Sequence, residues 1–207
     1  MKLLNEIINC LNNSDNPSEI FAQIRAENQI GYLTELNLLI GCIHDPIWHP
    51  EGDVWTHTMI VIDEAAKYRH FFKTNDEKTS YMLAALCHDL GKPYTNDYLN
   101  SRIRSVMHDQ YGIIPAKSLL TKIGVNDTNI INKVSAYVRY HLVPMQFYKS
   151  EGKVSDKAIR KLNENIYIPD LVLLTRADHA GRTDDEAKMN LCPPADYLLD
   201  RFKKLKL

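Results

Sequence analysis

Apolar residues recur every three to four positions in one segment of this chain after another, and clusters of Asn, Asp, Gly and Pro separate the segments. The first periodic stretch runs from Leu3 to Leu11 and is interrupted by Asn13-Ser14-Asp15-Asn16-Pro17. A proline suits the first helical turn, where its missing N–H costs nothing, so a second helix is predicted after Asn16-Pro17, with Ile20, Phe21 and Ile24 on one face. A third apolar segment extends from Ile30 to Ile40, and a loop carrying Pro46 and Pro50 follows between Gly41 and Asp53. Asp53 is placed to cap a helix from Val54 to Phe72. The next helix, from Asp76 to about Leu90, is expected to stop at Gly91, with Pro93 beyond it. A longer loop, from Pro93 to about Ser105, precedes helices predicted over residues 106–123, 126–141, 155–162, 169–180 and 195–204. Strand signals are weak, and no two alternating runs are joined by a hairpin turn. The pattern predicts an all-α helical bundle.

Composition narrows this picture. With 207 residues, 44% of them hydrophobic, the chain can bury the core of one helical domain, alone or with a small helical annex. Its formal net charge of −1 lacks the basic excess usual for proteins that grip long nucleic acid, and favours a small phosphorylated substrate. Cys10, Cys42, Cys87 and Cys192 are scattered, which indicates neither a zinc knuckle nor a disulfide framework. Residues 1–10 lack the continuous apolar run of a signal peptide, and no window approaches the roughly 18 apolar residues of a membrane span. A cytoplasmic protein without a membrane partner is expected.

The chemistry-bearing residues lie at the ends of apolar helices. Tyr81-Met82-Leu83-Ala84-Ala85-Leu86 is apolar nearly all round and delivers His88 and Asp89. Burying an imidazole beside a carboxylate is costly unless they are paired or bound to a metal, so the dipeptide is either a hydrogen-bonded helix cap or part of a metal site. His57 lies on the helix from Val54, and Asp178 ends another apolar run, Leu171-Val172-Leu173-Leu174. Imidazoles with carboxylates suit divalent transition metals better than magnesium. Among the other histidines, His49 is expected to make a loop hydrogen bond rather than ligate, His179 to stand behind the site or at the surface, and His44 and His70 to be exposed.

The order His57, His88-Asp89, Asp178 resembles the H…HD…D signature of HD-domain metal-dependent phosphohydrolases. His49-Pro50-Glu51-Gly52-Asp53-Val54-Trp55-Thr56-His57-Thr58 and Cys87-His88-Asp89-Leu90-Gly91-Lys92-Pro93 look like the C-terminal HD domain of bacterial CCA-adding tRNA nucleotidyltransferases. So do Arg104 to Gly112, Tyr140-His141 and Arg176-Ala177-Asp178-His179-Ala180-Gly181-Arg182, and Asn16-Pro17-Ser18-Glu19-Ile20-Phe21 resembles the helical arm before that domain. Each motif is modestly specific; five in this order are strongly so. Nothing here resembles the nucleotidyltransferase head with its glycine-serine turn and paired aspartates, so CCA addition is expected to be absent.

The resemblance implies an HD bundle over residues 46–207 with an N-terminal helical arm over 1–45. It implies metal ligation by His57, His88, Asp89 and Asp178, and one or two transition-metal ions such as iron, manganese, cobalt, nickel or zinc. His108 and His141 would complete a second metal site or contact a substrate phosphate. The activity implied is that of a phosphatase, 2′-nucleotidase or 2′,3′-cyclic phosphodiesterase acting on a small phosphorylated nucleotide. Asp89 would orient or deprotonate the attacking water, while Lys92, His108 and His141 offset transition-state charge. Lys92, Arg139 and Arg182 are candidate phosphate contacts. Three alternatives stay open: a two-metal hydrolase of dinucleoside or nucleoside polyphosphates, a nucleotide-binding module without turnover, and a tRNA-binding accessory.

Overall fold

The computed structural model describes residues 2–99, 102–150, 152–182, 185 and 189–207, with side chains from residue 6 onward. Helices α1 (Lys2–Asn13), α2 (Ser18–Ala26), α3 (Thr34–Asn37) and α4 (Val54–Ala66) lead into α5 (Asn75–Cys87) and the one-turn α6 (Lys92–Thr95). Strands β1 (Asn96–Leu99) and β2 (Arg102–Ser105) pair antiparallel, Asn96 facing Ser105 and Leu99 facing Arg102. The chain continues through α7 (His108–Tyr111), α8 (Ile113–Lys122), α9 (Thr128–Tyr140), α10 (Val143–Lys149), α11 (Asp156–Asn165), α12 (Ile168–Ala180) and α13 (Pro193–Lys204). The fold is thus mostly helical with one small sheet.

Helix α5 is the axis. Every residue from Thr79 to Cys87 is buried, so the helix can be apolar all round, and α1, α4, α9 and α12 pack about it. Its start is fixed by a capping box: the Thr74 hydroxyl accepts from Glu77 N, and Glu77 accepts from Thr74 N. Replacing Thr74 with alanine is expected to cost about 1 kcal/mol. Thermal melting should register this as a fall of roughly 2–4 °C. Helix α4 starts at Asp53, whose carboxylate accepts from Thr56 N at 2.8 Å, as the sequence predicts. The N-terminal helices are fastened by polar contacts as well as apolar ones. Ser18 donates to Asp63 through its backbone N–H (2.8 Å) and hydroxyl (2.6 Å), and Arg69 donates to Leu11 O at 2.9 Å.

Several boundaries differ from expectation, each for a local reason. The segment predicted from Val54 to Phe72 stops being helical at Ala66 because Arg69 folds inward onto Ala66 O and Leu11 O, leaving a 3₁₀ turn at Arg69–Phe71. The region predicted as one helix over 106–123 is divided at its start by Met107, whose φ of 63° lies in the left-handed region. Helix α10 follows His141 almost immediately, where the sequence pattern predicts no helix. Each strand of the hairpin is only four residues long and buries no apolar face, with Tyr98 and Leu99 exposed and Ile103 half-buried, so it lacks the apolar alternation that identifies a strand; residues 100 and 101, within the predicted loop, lie outside the described residues. No helix among the described residues is long and apolar enough to cross a membrane. The four cysteines are free.

Candidate metal centre

Helix α5 ends at Cys87, earlier than predicted, and the chain tightens through two i→i+3 hydrogen bonds, Leu90 N to Cys87 O and Lys92 N to Asp89 O. This turn aims His88, Asp89 and Lys92 at one point, and all three are buried. The sequence predicts a helix stop at Gly91; the residue adopts φ −80°, a conformation open to any residue. Its role is steric. A Cβ there would lie 2.0 Å from His108 O and 2.7 Å from Gly112 N, so only glycine lets the His88-Asp89 turn abut α7. Gly181 plays the same part at the end of α12: a Cβ would meet Val61 Cγ2 at 2.6 Å and His57 Cε1 at 3.3 Å.

Four imidazoles converge on the Asp89 carboxylate. His108 Nε2 lies 3.3 Å and His141 Nε2 3.9 Å from Asp89 Oδ1, whereas His88 Nε2 lies 3.3 Å and His57 Nε2 3.7 Å from Oδ2. Asp178 Oδ1 joins the second pair, 3.0 Å from His57 Nε2 and 3.9 Å from His88 Nε2. Two groups result, each able to hold a metal ion. One contains His57, His88 and Asp89 with Asp178 alongside; the other contains Asp89, His108 and His141.

The outer ring nitrogens fix this orientation. His88 Nδ1 donates to Ala85 O (2.8 Å), His108 Nδ1 to Ser105 O (2.7 Å) and His141 Nδ1 to Val138 O (2.7 Å). A carbonyl only accepts, so each Nδ1 carries a hydrogen and each ring turns its Nε2 inward. His57 Nδ1 instead lies 2.6 Å from Glu51 Oε1, near enough for an ion pair but angled away from good hydrogen-bond geometry. The inward nitrogens face one another closely: His108 Nε2 to His141 Nε2 at 3.1 Å, and His88 Nε2 to His57 Nε2 at 3.4 Å. Opposed lone pairs repel unless a cation, metal or proton, lies between them. Asp89 Oδ2 is buried without a well-formed hydrogen bond, although the Lys92 ammonium lies 2.7 Å from it. This donor set fits divalent metal ions.

Neighbouring charges suit the arrangement. Burial pushes the Asp89 carboxyl up, but Lys92 and His88 outweigh it and hold the group well below the usual carboxylate range. Asp178 is likewise held low against its burial, chiefly by Arg182, which contacts its two oxygens at 2.8 and 2.7 Å. Burial, then His108 and His88, depress His141 to about 3, so its lone pair is available at neutral pH.

The structure thus brings His57, His88, Asp89, Lys92, His108, His141, Asp178 and Arg182 to one locus, and all but His57 and His88 line a cavity of about 220 Å³. Arg139 does not line it; its guanidinium pairs with Asp109 and lies over Tyr140. His179 is half-buried one position beyond Asp178, and His70 is exposed. His44, expected at the surface, is buried: its ring stacks on His49 at 3.7 Å and its Nδ1 lies 3.2 Å from Lys92 Nζ. His49 makes the expected loop hydrogen bond, to Glu51 at 2.9 Å, and its Nε2 also stands 3.4 Å from Lys92 Nζ. His44, His49 and Glu51 form a third group spaced to hold a cation. Sequence reasoning misses Glu51 altogether. The available signal is its place six residues before His57, in the turn that starts α4.

The chain is 30% identical over 193 residues to a multifunctional CCA protein of Mannheimia succiniciproducens, covering 89% of this chain and 44% of that protein. It is 28% identical over 193 residues to the multifunctional CCA protein of Pseudoalteromonas atlantica, covering 91% and 44%. To that of Stenotrophomonas maltophilia it is 30% identical over 184 residues, covering 88% and 39%. No family model matches the chain. The CCA-named relatives overturn the expectation that disfavoured a long nucleic acid as partner. That expectation rests on net charge, a sum over the whole surface that says nothing about a local cluster of cations. The chain is therefore similar over nearly all its length to multifunctional CCA proteins, and it spans less than half of theirs.

Proposed function

We propose that this chain is an HD-type metal-dependent phosphohydrolase that cleaves a nucleotide phosphomonoester or cyclic phosphate, with two metal sites sharing Asp89. The observation that carries this reading is the convergence of four backbone- or carboxylate-anchored histidines on one buried carboxylate. The likeness to multifunctional CCA proteins supports it. His57, His88, Asp89 and Asp178 would hold one ion, and Asp89, His108 and His141 the other. Ions bound there supply Lewis acidity toward a phosphoryl oxygen and acidify a coordinated water.

The remaining residues set the frame. Glu51 and Arg182 hold His57 and Asp178 in place. Lys92 is a positioning residue: its ammonium is surrounded by Asp89 Oδ2 at 2.7 Å, His44 Nδ1 at 3.2 Å and His49 Nε2 at 3.4 Å. With three neighbours around three N–H donors, Lys92 steadies the bridging carboxylate instead of reaching for substrate. Arg182, at the cavity wall, is the nearer candidate for a phosphate oxygen. Arg139 would act only through Asp109.

The test pairs metal analysis with turnover. The purified chain should bind two transition-metal ions and hydrolyse 2′-AMP or 2′,3′-cyclic AMP, and chelation should abolish the activity. His108→Ala should lower metal content from two ions toward one and cut kcat/KM by about a hundredfold, a loss of some 2.7 kcal/mol in transition-state stabilisation. Absence of bound metal, with no activation by any divalent ion, would refute the reading.

A further inference from the structure

The metal cavity does not end at the ligands. Asp45, Trp48, Ile103, Ser105, His108 and Lys149 line both it and a second, adjoining cavity of about 500 Å³. The outer wall is completed by Arg102 and Arg104 of β2 and by the exposed Val106. Trp48, on the turn before His49, is 56% exposed. Lys149 Nζ lies 5.4 Å from its ring centroid, so one face of the indole carries a cation. Arg102 is engaged by Asp45, whereas Arg104 and Lys149 have no ion-pair partner among the described residues. The groove thus joins an exposed aromatic residue to two cations that have no ion-pair partner among the described residues, and opens beside His108.

A phosphate held in the inner cavity leaves the adjoining groove to whatever the phosphate is attached to. Aromatic faces and backbone-tracking cations together suit an unpaired strand, because every base has a face to stack and every linkage carries a charge. We propose that the groove binds the end of a single-stranded polynucleotide whose terminal phosphate enters the metal cavity, with Trp48 stacking a base and Arg104 and Lys149 contacting phosphates. The assignment rests on the phosphohydrolase reading for what happens at the terminal phosphate, and on the groove alone for binding. It makes Trp48 a specificity-determining residue.

Fluorescence anisotropy of the full chain with a 5′-labelled tetraadenylate bearing a terminal 2′-phosphate, set against competition by 2′-AMP, tests this without requiring turnover. The tetranucleotide should bind more tightly than 2′-AMP. Trp48→Ala should weaken it roughly tenfold or more, the size of one lost base–aromatic stack. The loss on 2′-AMP should be much smaller, and Trp48→Phe should recover most of the affinity. Arg104→Gln should lower the salt dependence of tetranucleotide binding by about one phosphate contact. Equal affinities for the two probes, or a Trp48→Ala variant that binds the tetranucleotide as wild type does, would overturn the proposal, as would equal losses for Ala and Phe. If these binding differences hold but no phosphoester is turned over, the groove stands and the hydrolytic reading fails. Turnover of 2′-AMP with no preference for the tetranucleotide would leave the hydrolytic reading in place and remove the groove.

Discussion

Asp89→Asn should empty both metal sites and reduce kcat/KM by about a thousandfold or more, since several kcal/mol of metal-derived stabilisation disappear together. No other side chain belongs to both groups: Oδ1 faces His108 and His141, and Oδ2 faces His57 and His88. The amide keeps the shape but loses the charge. Its NH₂ would turn a donor toward one histidine pair, where a metal requires a lone pair. The substitution also strips Lys92, 5% exposed, of its anion. An uncompensated buried charge costs about 3 kcal/mol or more, so the variant should melt well below wild type. The two effects separate in a double variant. Adding Lys92→Met to Asp89→Asn removes the stranded charge and should restore much of the stability without restoring metal or turnover. If the double variant regained activity, Asp89 would be a structural partner of Lys92 and nothing more.

Gly91→Ala should be the most damaging substitution outside the ligands. The added methyl would sit 2.0 Å from His108 O and 2.7 Å from Gly112 N, and both obstacles are backbone atoms. No rotamer change relieves such a clash, so the α7 backbone must move. Overpacking costs up to about 3 kcal/mol where side chains can yield, and backbone contact should reach at least that. For a chain of 207 residues this corresponds to a melting temperature lower by roughly 6–12 °C. The displacement falls on the segment that carries His108, so the second metal should be lost before the first. A variant with unchanged melting temperature and two metals would show that the turn and α7 are not held as tightly as described.

Much of the fold is legible in the sequence because it follows from helical periodicity and punctuation. Asp53 caps α4 where expected, and α9, α11, α12 and α13 lie within a few residues of their predicted spans. The illegible parts are those where a long-range contact sets a local conformation. Arg69 ends α4 by reaching Leu11, 58 positions earlier in the chain. Gly91 reads as a helix stop in sequence, and its steric role emerges only when His108 stands against it. The hairpin of β1 and β2 hides because its four-residue strands bury no apolar face, and α10 hides because it follows α9 with scarcely a turn between them.

The candidate site divides the same way. Residues at the ends of apolar helices, His57, His88, Asp89 and Asp178, draw notice through their burial cost and are grouped by the family resemblance, and the structure brings them together. His44 and Glu51 belong to a loop with no periodicity to mark their direction, and they become visible only through their contacts with Lys92 and His57. The net charge of −1 misdirects for a related reason: it averages the groove cations Arg104 and Lys149 with acidic residues elsewhere.

The central claim, two ions sharing Asp89, is tested most directly by anomalous diffraction from crystals of the full chain grown with manganese and measured above its absorption edge. Two peaks are expected, one among His57, His88, Asp89 and Asp178, the other among Asp89, His108 and His141. A map with no peak at either position, or with density only outside both groups, would contradict the account.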